Sequence, residues 1–141
     1  MKKLLLILLC LPMILPAQNS TNYKEFNAGI LLGKDIGVFP VASFLWGKTI
    51  YFNDNTFLDY KGGLSFPTIF TGKIGAGIGN ELNAAAVGAR LFPPSVYFQL
   101  TFFETSLFSI ELMPLTIEEG TANGQTTTST KNIIISYGFR W

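Results

Sequence analysis

The chain has 141 residues, with 10 Lys and Arg, 9 Asp and Glu, a single Cys and no His. Hydrophobic residues make up 48% of it and charged residues 13%, whereas about a quarter of an ordinary soluble domain is charged. This composition argues against a highly solvated surface, and the absence of His removes the usual general base and the commonest metal ligand.

The first 17 residues have the features of a secretory signal peptide. Lys2 and Lys3 form a positive region, an apolar run follows over residues 4–15, and Ala17 offers a small residue for cleavage. A membrane anchor is the alternative, but about 12 apolar residues fall short of the roughly 20 that span a bilayer. A lipoprotein signal at Cys10 would need a small residue before the cysteine, where Leu stands.

Removal of residues 1–17 changes the chemistry of the chain. The remaining domain, 18–141, has 124 residues (141 minus 17), and the loss of two lysines leaves 8 basic residues against 9 acidic ones. No basic cluster remains for nucleic acid, whose binding depends on Lys and Arg that neutralise phosphates. Cys10 is lost as well, so neither a disulfide nor a thiol nucleophile is expected in the exported protein.

The rest of the chain alternates between apolar and polar residues, which is the period of a β-strand. Near its start, for example, Phe26 and Ile30 alternate with Glu25 and Asn27. No run of 18 apolar residues indicates a transmembrane helix. Eight segments have strand character: 23–33, 38–52, 57–69, 73–79, 83–92, 96–104, 107–115 and 133–141.

The sequence does not show which residues of the second segment share its apolar face, because large apolar residues stand at both even positions (Phe44 and Trp46) and odd positions (Phe39, Val41 and Leu45). The connections between segments are short, which suits hairpins. The exception is 118–131, rich in Thr, Gly, Asn and Gln, which we expect to be a long loop. Eight strands joined by consecutive hairpins predict an all-β fold, an eight-stranded antiparallel up-and-down barrel.

Glycine indicates which face of the sheet points inward. Glycine weakens a water-facing strand, but it fits the crowded interior of an eight-stranded barrel, where small residues must alternate with large ones. The apolar face then meets lipid, and tilted strands of about 9–11 residues match the hydrocarbon thickness. Tyr97 and Phe103 are expected to pack in the lumen. The glycines that share the charged face are Gly29, Gly33, Gly63, Gly75, Gly77, Gly79, Gly88 and Gly138.

Seven charged side chains share the predicted inward face. Charges enclosed in a narrow barrel must pair or meet water, since an unpaired buried charge is costly. A polar conduit or ligand site is the alternative, which eight strands disfavour; the spacing of Asp59 and Glu111 does not indicate a catalytic pair. We predict a structural lumen network of Glu25, Asp59, Lys61, Lys73, Arg90, Glu111 and Arg140.

The last strand carries the most specific pattern. Hydrophobic residues alternate from Ile133 through Tyr137 and Phe139, and the chain ends at Trp141. This pattern resembles the closing strand of outer-membrane β-barrels, and the chain is similar to the small eight-stranded class of OmpA and OmpX. The resemblance implies a Gram-negative outer membrane, with Tyr137, Phe139 and Trp141 as an assembly signal for the barrel assembly machinery. It also implies periplasmic termini and an extracellular contact through 118–131.

We therefore predict a small integral outer-membrane barrel with a structural or surface-interaction role and no open pore. Outer-membrane lipid and the assembly machinery are the expected partners, and no enzyme activity, cofactor, metal or nucleic acid is expected. The alternative is a soluble exported barrel that binds a small apolar ligand, as lipocalin-like proteins do. A lipid-modifying membrane enzyme is disfavoured, because such barrels resemble one another in using His.

Overall fold

The computed structural model describes residues 19–34, 37–121 and 124–141, and the side chains of 19–34, 37–113 and 132–141. The predicted signal peptide, 1–17, lies outside the described residues. Among the described residues, no helix is long and apolar enough to cross a membrane. The described strands are β1 (Ser20–Gly33), β2 (Gly37–Asn53), β3 (Thr56–Phe66), β4 (Phe70–Gly79), β5 (Asn83–Arg90), β6 (Ser95–Phe102), β7 (Ser106–Thr121) and β8 (Gly124–Arg140).

Each strand pairs with the next in antiparallel fashion, and β1 pairs with β8, which closes the sheet into a barrel. The predicted eight-stranded antiparallel barrel is therefore confirmed. Asparagine side chains stabilise two of the tight turns at the end of the barrel that holds both described termini. The Asn53 carboxamide oxygen accepts hydrogen bonds from the backbone N–H groups of Asn55 and Thr56, and Asn80 does the same for Leu82 and Asn83.

The register of the strands sets the tilt of the barrel. A row of paired residues starts at Asn22 on β1 and returns to β1 at Leu32, ten residues further along (32 minus 22). With strands about 4.8 Å apart and a rise of about 3.3 Å per residue, this shear tilts the eight strands by roughly 40°. The row passes through Lys48, Tyr60, Ile74, Ala89, Val96, Leu112 and Ile133.

The two faces of the sheet differ in polarity, and the polar face points inward. Glu25 is 0% exposed, and the other charged residues predicted to face the lumen are buried or nearly so, whereas large apolar side chains such as Val87, at 61%, are exposed on the outside. A water-soluble barrel has the reverse arrangement. An apolar exterior around a polar interior is typical of transmembrane β-barrels, as the alternation and the glycines predicted.

Glycines on the inward face leave room for large lumen side chains. A Cβ atom on Gly75 would meet the hydroxyl of Tyr97, and one on Gly88 would lie 2.6 Å from the Cα of Gly75 and 2.8 Å from the Tyr97 ring. Tyr97 is 2% exposed and fills the space that these glycines leave open. The prediction for Tyr97 is confirmed, and its position depends on the small residues Gly75 on β4 and Gly88 on β5.

The face of β2, which the sequence left open, is fixed by its neighbours. Leu45 pairs with Glu25 and with Gly63, so it points into the lumen, and it is 0% exposed. Phe44 and Trp46, at alternate positions, lie on the outside. Phe39 and Val41 therefore point inward, where they contact an apolar cluster near the β1–β2 turn.

The expectation of a loop over 118–131 is wrong. Both β7 and β8 continue through this segment, paired from Met113 and Asn132 to Thr121 and Gly124. Since β6 accompanies β7 only to Leu112, and Met113 and Asn132 are still buried in the barrel, eight residues of each strand, 114–121 and 124–131, extend beyond the barrel wall as a two-stranded hairpin extension. At about 3.3 Å per residue it is about 26 Å long. Thr, which is abundant here, is β-branched and favours strands.

The expectation that Phe103 packs in the lumen is also wrong. Strand β6 ends at Phe102, and the next two residues form a turn with φ angles of 53° and 63°. This turn interrupts the alternation that placed Phe103 inward, and its side chain is 79% exposed.

Candidate functional site

The lumen holds a first ionic cluster on the side of the chain termini, formed by Glu25, Asp59, Lys61 and Arg140. Lys61 Nζ donates hydrogen bonds to the Glu25 Oε1 and Oε2 atoms at 2.9 and 2.8 Å. Arg140 Nη2 lies 3.2 Å from Glu25 Oε2 and 3.9 Å from Asp59 Oδ2. With two cations and two anions, this terminus-side cluster is electrically balanced.

Neutral side chains complete the terminus-side cluster. Asp59 Oδ1 accepts hydrogen bonds from the Tyr23 hydroxyl at 2.6 Å and from Thr49 Oγ1 at 2.8 Å. The Arg140 guanidinium lies 3.7 Å from the centre of the Tyr23 ring, a cation–π contact. Gln99 accepts a hydrogen bond from Lys61 Nζ at 2.6 Å. Each buried charge thus has more than one partner, as burial requires.

A second cluster, formed by Lys73, Arg90 and Glu111, lies on the side of the hairpin extension. The two carboxylate oxygens of Glu111 are divided between Lys73 and Arg90, with Arg90 Nη1 3.0 Å from Oε2. Arg90 also donates to Thr71 Oγ1 at 2.6 Å and to Ser65 Oγ at 2.9 Å. This hairpin-side cluster carries a net charge of +1, which the hydroxyls around Arg90 help to solvate.

Tyr97 lies between the two clusters. The Lys61 and Lys73 Nζ atoms lie 5.8 and 5.2 Å from the centre of its ring. The ring face attracts both cations and fills the space between them. Within the described residues, the Tyr97 hydroxyl has no hydrogen-bond partner. The contacts of the ring, and not a hydrogen bond of the hydroxyl, therefore explain why Tyr97 lies between the clusters.

An apolar layer closes the lumen beyond the hairpin-side cluster. Leu31, Met113 and Ile134 are buried against one another, and the half-buried Phe39 and Val41 pack against them. Beside the hairpin-side cluster, a cavity of about 20 Å³ remains, which is space for about one water molecule. The middle of the described lumen is therefore filled by its own side chains, and a cavity of about 290 Å³ remains at the terminus end, beside the terminus-side cluster.

All seven charged residues that the sequence placed in the lumen are brought together there, in two clusters rather than one. The neutral partners Tyr23, Thr49, Gln99 and Thr71 were not identified from the sequence. Tyr23 and Thr71 each stand two residues from a lumen charge on their own strand, and Thr49 faces Asp59 across the sheet, so their signal was present, whereas Gln99 neither shares a strand with a charge nor pairs with one. Their polarity alone does not distinguish them from surface residues.

The predicted assembly residues Tyr137, Phe139 and Trp141 lie on the outside of the barrel, away from the ionic clusters. The Tyr137 and Phe139 rings contact each other edge to face at 5.3 Å. The backbone N–H and C=O groups of Trp141 both bond to Lys24, which holds the last residue against β1. Within the described residues, no group of three or more His, Cys, Asp or Glu side chains is placed to hold a metal ion.

We predict that Glu25→Gln destabilises the barrel by about 3–5 kcal/mol, because it leaves Lys61 and Arg140 buried without their shared carboxylate. The free energy of unfolding, from urea titration of the barrel in phospholipid vesicles, measures this. Glu104→Gln, in an exposed turn, is the matched control and should change it by less than about 0.5 kcal/mol. Equal values for the two variants would contradict a stabilising role for the ionic cluster.

No family model matches the sequence. No curated protein matches it. Among solved structures, the chain is similar to Ail, the attachment invasion locus protein of Yersinia pestis, crystallised in complex with the heparin analogue sucrose octasulfate. The similarity covers 86% of this chain and 97% of that chain, with 10% sequence identity and a TM-score of 0.39. By its own strand pairing and burial, the chain is a closed eight-stranded antiparallel up-and-down β-barrel whose charged residues point inward.

Proposed function

We propose that the protein is a small integral barrel of the Gram-negative outer membrane, with a structural or surface-interaction role and no open pore. The observation that carries the proposal is the polarity of the wall, with charged residues inside and large apolar side chains outside. In water, this exterior would be one large exposed apolar surface, which soluble monomers rarely have. In lipid, the same exterior is the favourable one, and the closed sheet leaves no unpaired edge.

The soluble alternative, a barrel that binds a small apolar ligand inside, receives no support from the lumen. Such a ligand needs an apolar cavity with few polar groups. Here the middle of the lumen holds four cations and three anions joined by ion pairs. We therefore do not assign a ligand to the interior.

The absence of an open pore and of enzyme activity is part of the proposal. The ionic clusters and the apolar layer of Leu31, Met113 and Ile134 close the middle of the described lumen in succession. Asp59 and Glu111 do not form a catalytic pair in this arrangement, because they belong to different clusters and each is bound by cations. A structural role for these carboxylates accounts for their positions.

The hairpin extension is the part of the barrel that we propose for surface interaction. Because the strand number is even, both termini lie at one end of the barrel and the β7–β8 hairpin lies at the other. With the termini in the periplasm, as in bacterial barrels with an even strand number, the extension stands outside the cell. The backbones of its two strands are hydrogen-bonded to each other, so the extension has a defined shape for contact with a partner, whereas the sequence had predicted a loop.

We also propose that the barrel assembly machinery inserts the chain by reading Tyr137, Phe139 and Trp141. All three lie on the last strand or directly after it, and all three are exposed on the lipid-facing side. A factor that approaches from outside the barrel would therefore reach them.

We expect the protein in the membrane fraction to migrate differently on a gel before and after boiling. A closed barrel with a hydrogen-bonded seam stays folded in detergent until it is heated, and the compact form migrates differently from the unfolded chain. Gel mobility of unheated and boiled outer-membrane samples measures this. Recovery of the protein in the soluble periplasmic fraction, with no shift on heating, would exclude the membrane assignment.

Trp141→Ala is expected to lower the amount of protein in the outer membrane several-fold, because the closing strand loses its terminal aromatic residue. Trp46→Ala, which removes another exposed Trp from the same face, is the matched control and should assemble normally. Both variants should refold equally well in detergent, which separates recognition from stability. Normal outer-membrane levels of Trp141→Ala on an immunoblot would count against the assembly signal.

A further inference from the structure

Two lysines interrupt the apolar exterior of the barrel. Among the strand residues with described side chains, Lys24 on β1 and Lys48 on β2 are the charged residues that point outward. Lys24 pairs with Trp46, and Lys48 with Asn22, so the two lysines are diagonal neighbours on the same face. Diagonal neighbours on adjacent strands lie about 7–8 Å apart, so two positive charges are held close together.

No Asp or Glu side chain on the described exterior of β1, β2 or β3 balances the two charges. The acidic residues of β1 and β3, Glu25 and Asp59, point into the lumen and are bound there by Lys61 and Arg140. In contact with lipid, two adjacent cations without an anion are unfavourable, and less so near the membrane surface than at the midplane. An anion at the membrane surface would therefore stabilise the pair.

The surroundings of the two lysines are those of a membrane–water interface. Trp46, Tyr60 and Trp141 lie beside them, and aromatic residues of this kind form girdles at the interfaces of membrane barrels. These residues line a shallow outward groove of about 710 Å³, which also contains Lys24, Lys48 and Gly62. The groove is near the terminus end of the barrel, since Lys24 is bonded to the last residue of the chain.

Gly62 forms an open part of the floor of this groove. A Cβ atom at this position would meet only the backbone oxygen of Thr71, at 3.6 Å. The residue is on the outward face, opposite Trp46 on the neighbouring strand. The missing side chain leaves space above two basic residues and between aromatic rings, which suits the glycerol and first acyl carbons of a lipid.

We propose that this groove binds an anionic phospholipid of the periplasmic leaflet, whose phosphate is held by Lys24 and Lys48 and whose acyl chain begins over Gly62. Lysine stems lie along the apolar surface while their ammonium groups reach the headgroup level, and a phosphate neutralises the pair. The proposal rests on the membrane assignment made above. The proposed ligand of this surface is a lipid headgroup and not a protein or a soluble anion.

The two tryptophans of the chain are Trp46 and Trp141, and both line the groove. Tryptophan fluorescence, excited selectively over that of the tyrosines, therefore reports on lipid beside this groove. The barrel is inserted in vesicles that mix phosphatidylcholine with phosphatidylglycerol, and either lipid is brominated on its acyl chains so that it quenches nearby tryptophan. The ratio of quenching by the two brominated lipids gives the preference of the site for the anionic one.

For the unmodified protein at low salt, we expect brominated phosphatidylglycerol to quench tryptophan fluorescence more strongly than its mole fraction in the bilayer alone would produce. Each lysine is expected to raise this preference for the anionic lipid about fivefold. The double variant Lys24→Gln/Lys48→Gln should reduce this preference to about one. Lys34→Gln, which removes an exposed lysine in the β1–β2 turn at the opposite end, is the matched control and should retain it. An equal preference for all three proteins would overturn the proposal.

A second experiment fills the groove with a larger side chain. Gly62→Leu is expected to weaken quenching by brominated phosphatidylglycerol, because the new side chain occupies the space beside the tryptophans. Ala89→Leu, at an exposed outward position on β5 that is not part of the groove, should not. Equal effects of the two variants would overturn the placement of the lipid over Gly62.

The heat-dependent gel shift of the same vesicle samples separates failure of this proposal from failure of the membrane assignment. Folded, inserted protein without a preference for phosphatidylglycerol contradicts the lipid site alone. Protein that does not insert contradicts both.

Discussion

The pairing of β1 with β8 is the contact on which the rest of the structure depends. It extends from Glu25 and Arg140 to Leu32 and Ile133 and leaves the sheet without an open edge. Open edges of unpaired backbone groups are not tolerated in a bilayer. The same register places Arg140 beside Glu25, although the two residues are 115 positions apart. Closure of the wall therefore completes the terminus-side cluster by adding Arg140 to it.

A closed wall of eight strands determines what the interior must contain. The lumen is wide enough to be filled by side chains and too narrow for an aqueous channel, so glycines on the inward face leave room for Tyr97 and for long charged side chains. Charges enclosed in this way are stable only when they are paired, and the ion pairs connect strands that are distant in sequence. Lys61 and Glu25, for example, lie 36 residues apart.

The outer surface follows the opposite rule. Apolar side chains are favourable where they meet lipid, so an outward charge is a departure that calls for an explanation. Lys24 and Lys48 are such departures, and their position among aromatic residues near the terminus end is where a phosphate headgroup would lie. The lumen charges and the outward lysines thus obey the same requirement, since each cation needs an anion within reach; inside the barrel the protein supplies it, and outside we propose that the lipid does.

Much of this architecture could be predicted from the sequence, because alternation with a period of two and the placement of glycine report directly on the two faces of a strand. The pairs of charges could not be predicted, since they depend on the shear of the closed barrel. The face of β2 was ambiguous because its lumen side includes apolar residues, Phe39 and Val41, that meet the apolar layer. Residues 118–131 were misread because their composition suggests a loop, whereas β-branched Thr also favours a paired strand.

The most direct test of the central claim, that the apolar face of the wall meets lipid, is a nitroxide scan along β6. Single labels at successive positions from Ser95 to Phe102 are placed in the barrel in vesicles, and their accessibility to oxygen and to a water-soluble nickel complex is measured. We predict that oxygen accessibility alternates with a period of two and is highest at Val96, Phe98 and Leu100. Accessibility of these three positions to the nickel complex, or a profile without alternation, would contradict the account.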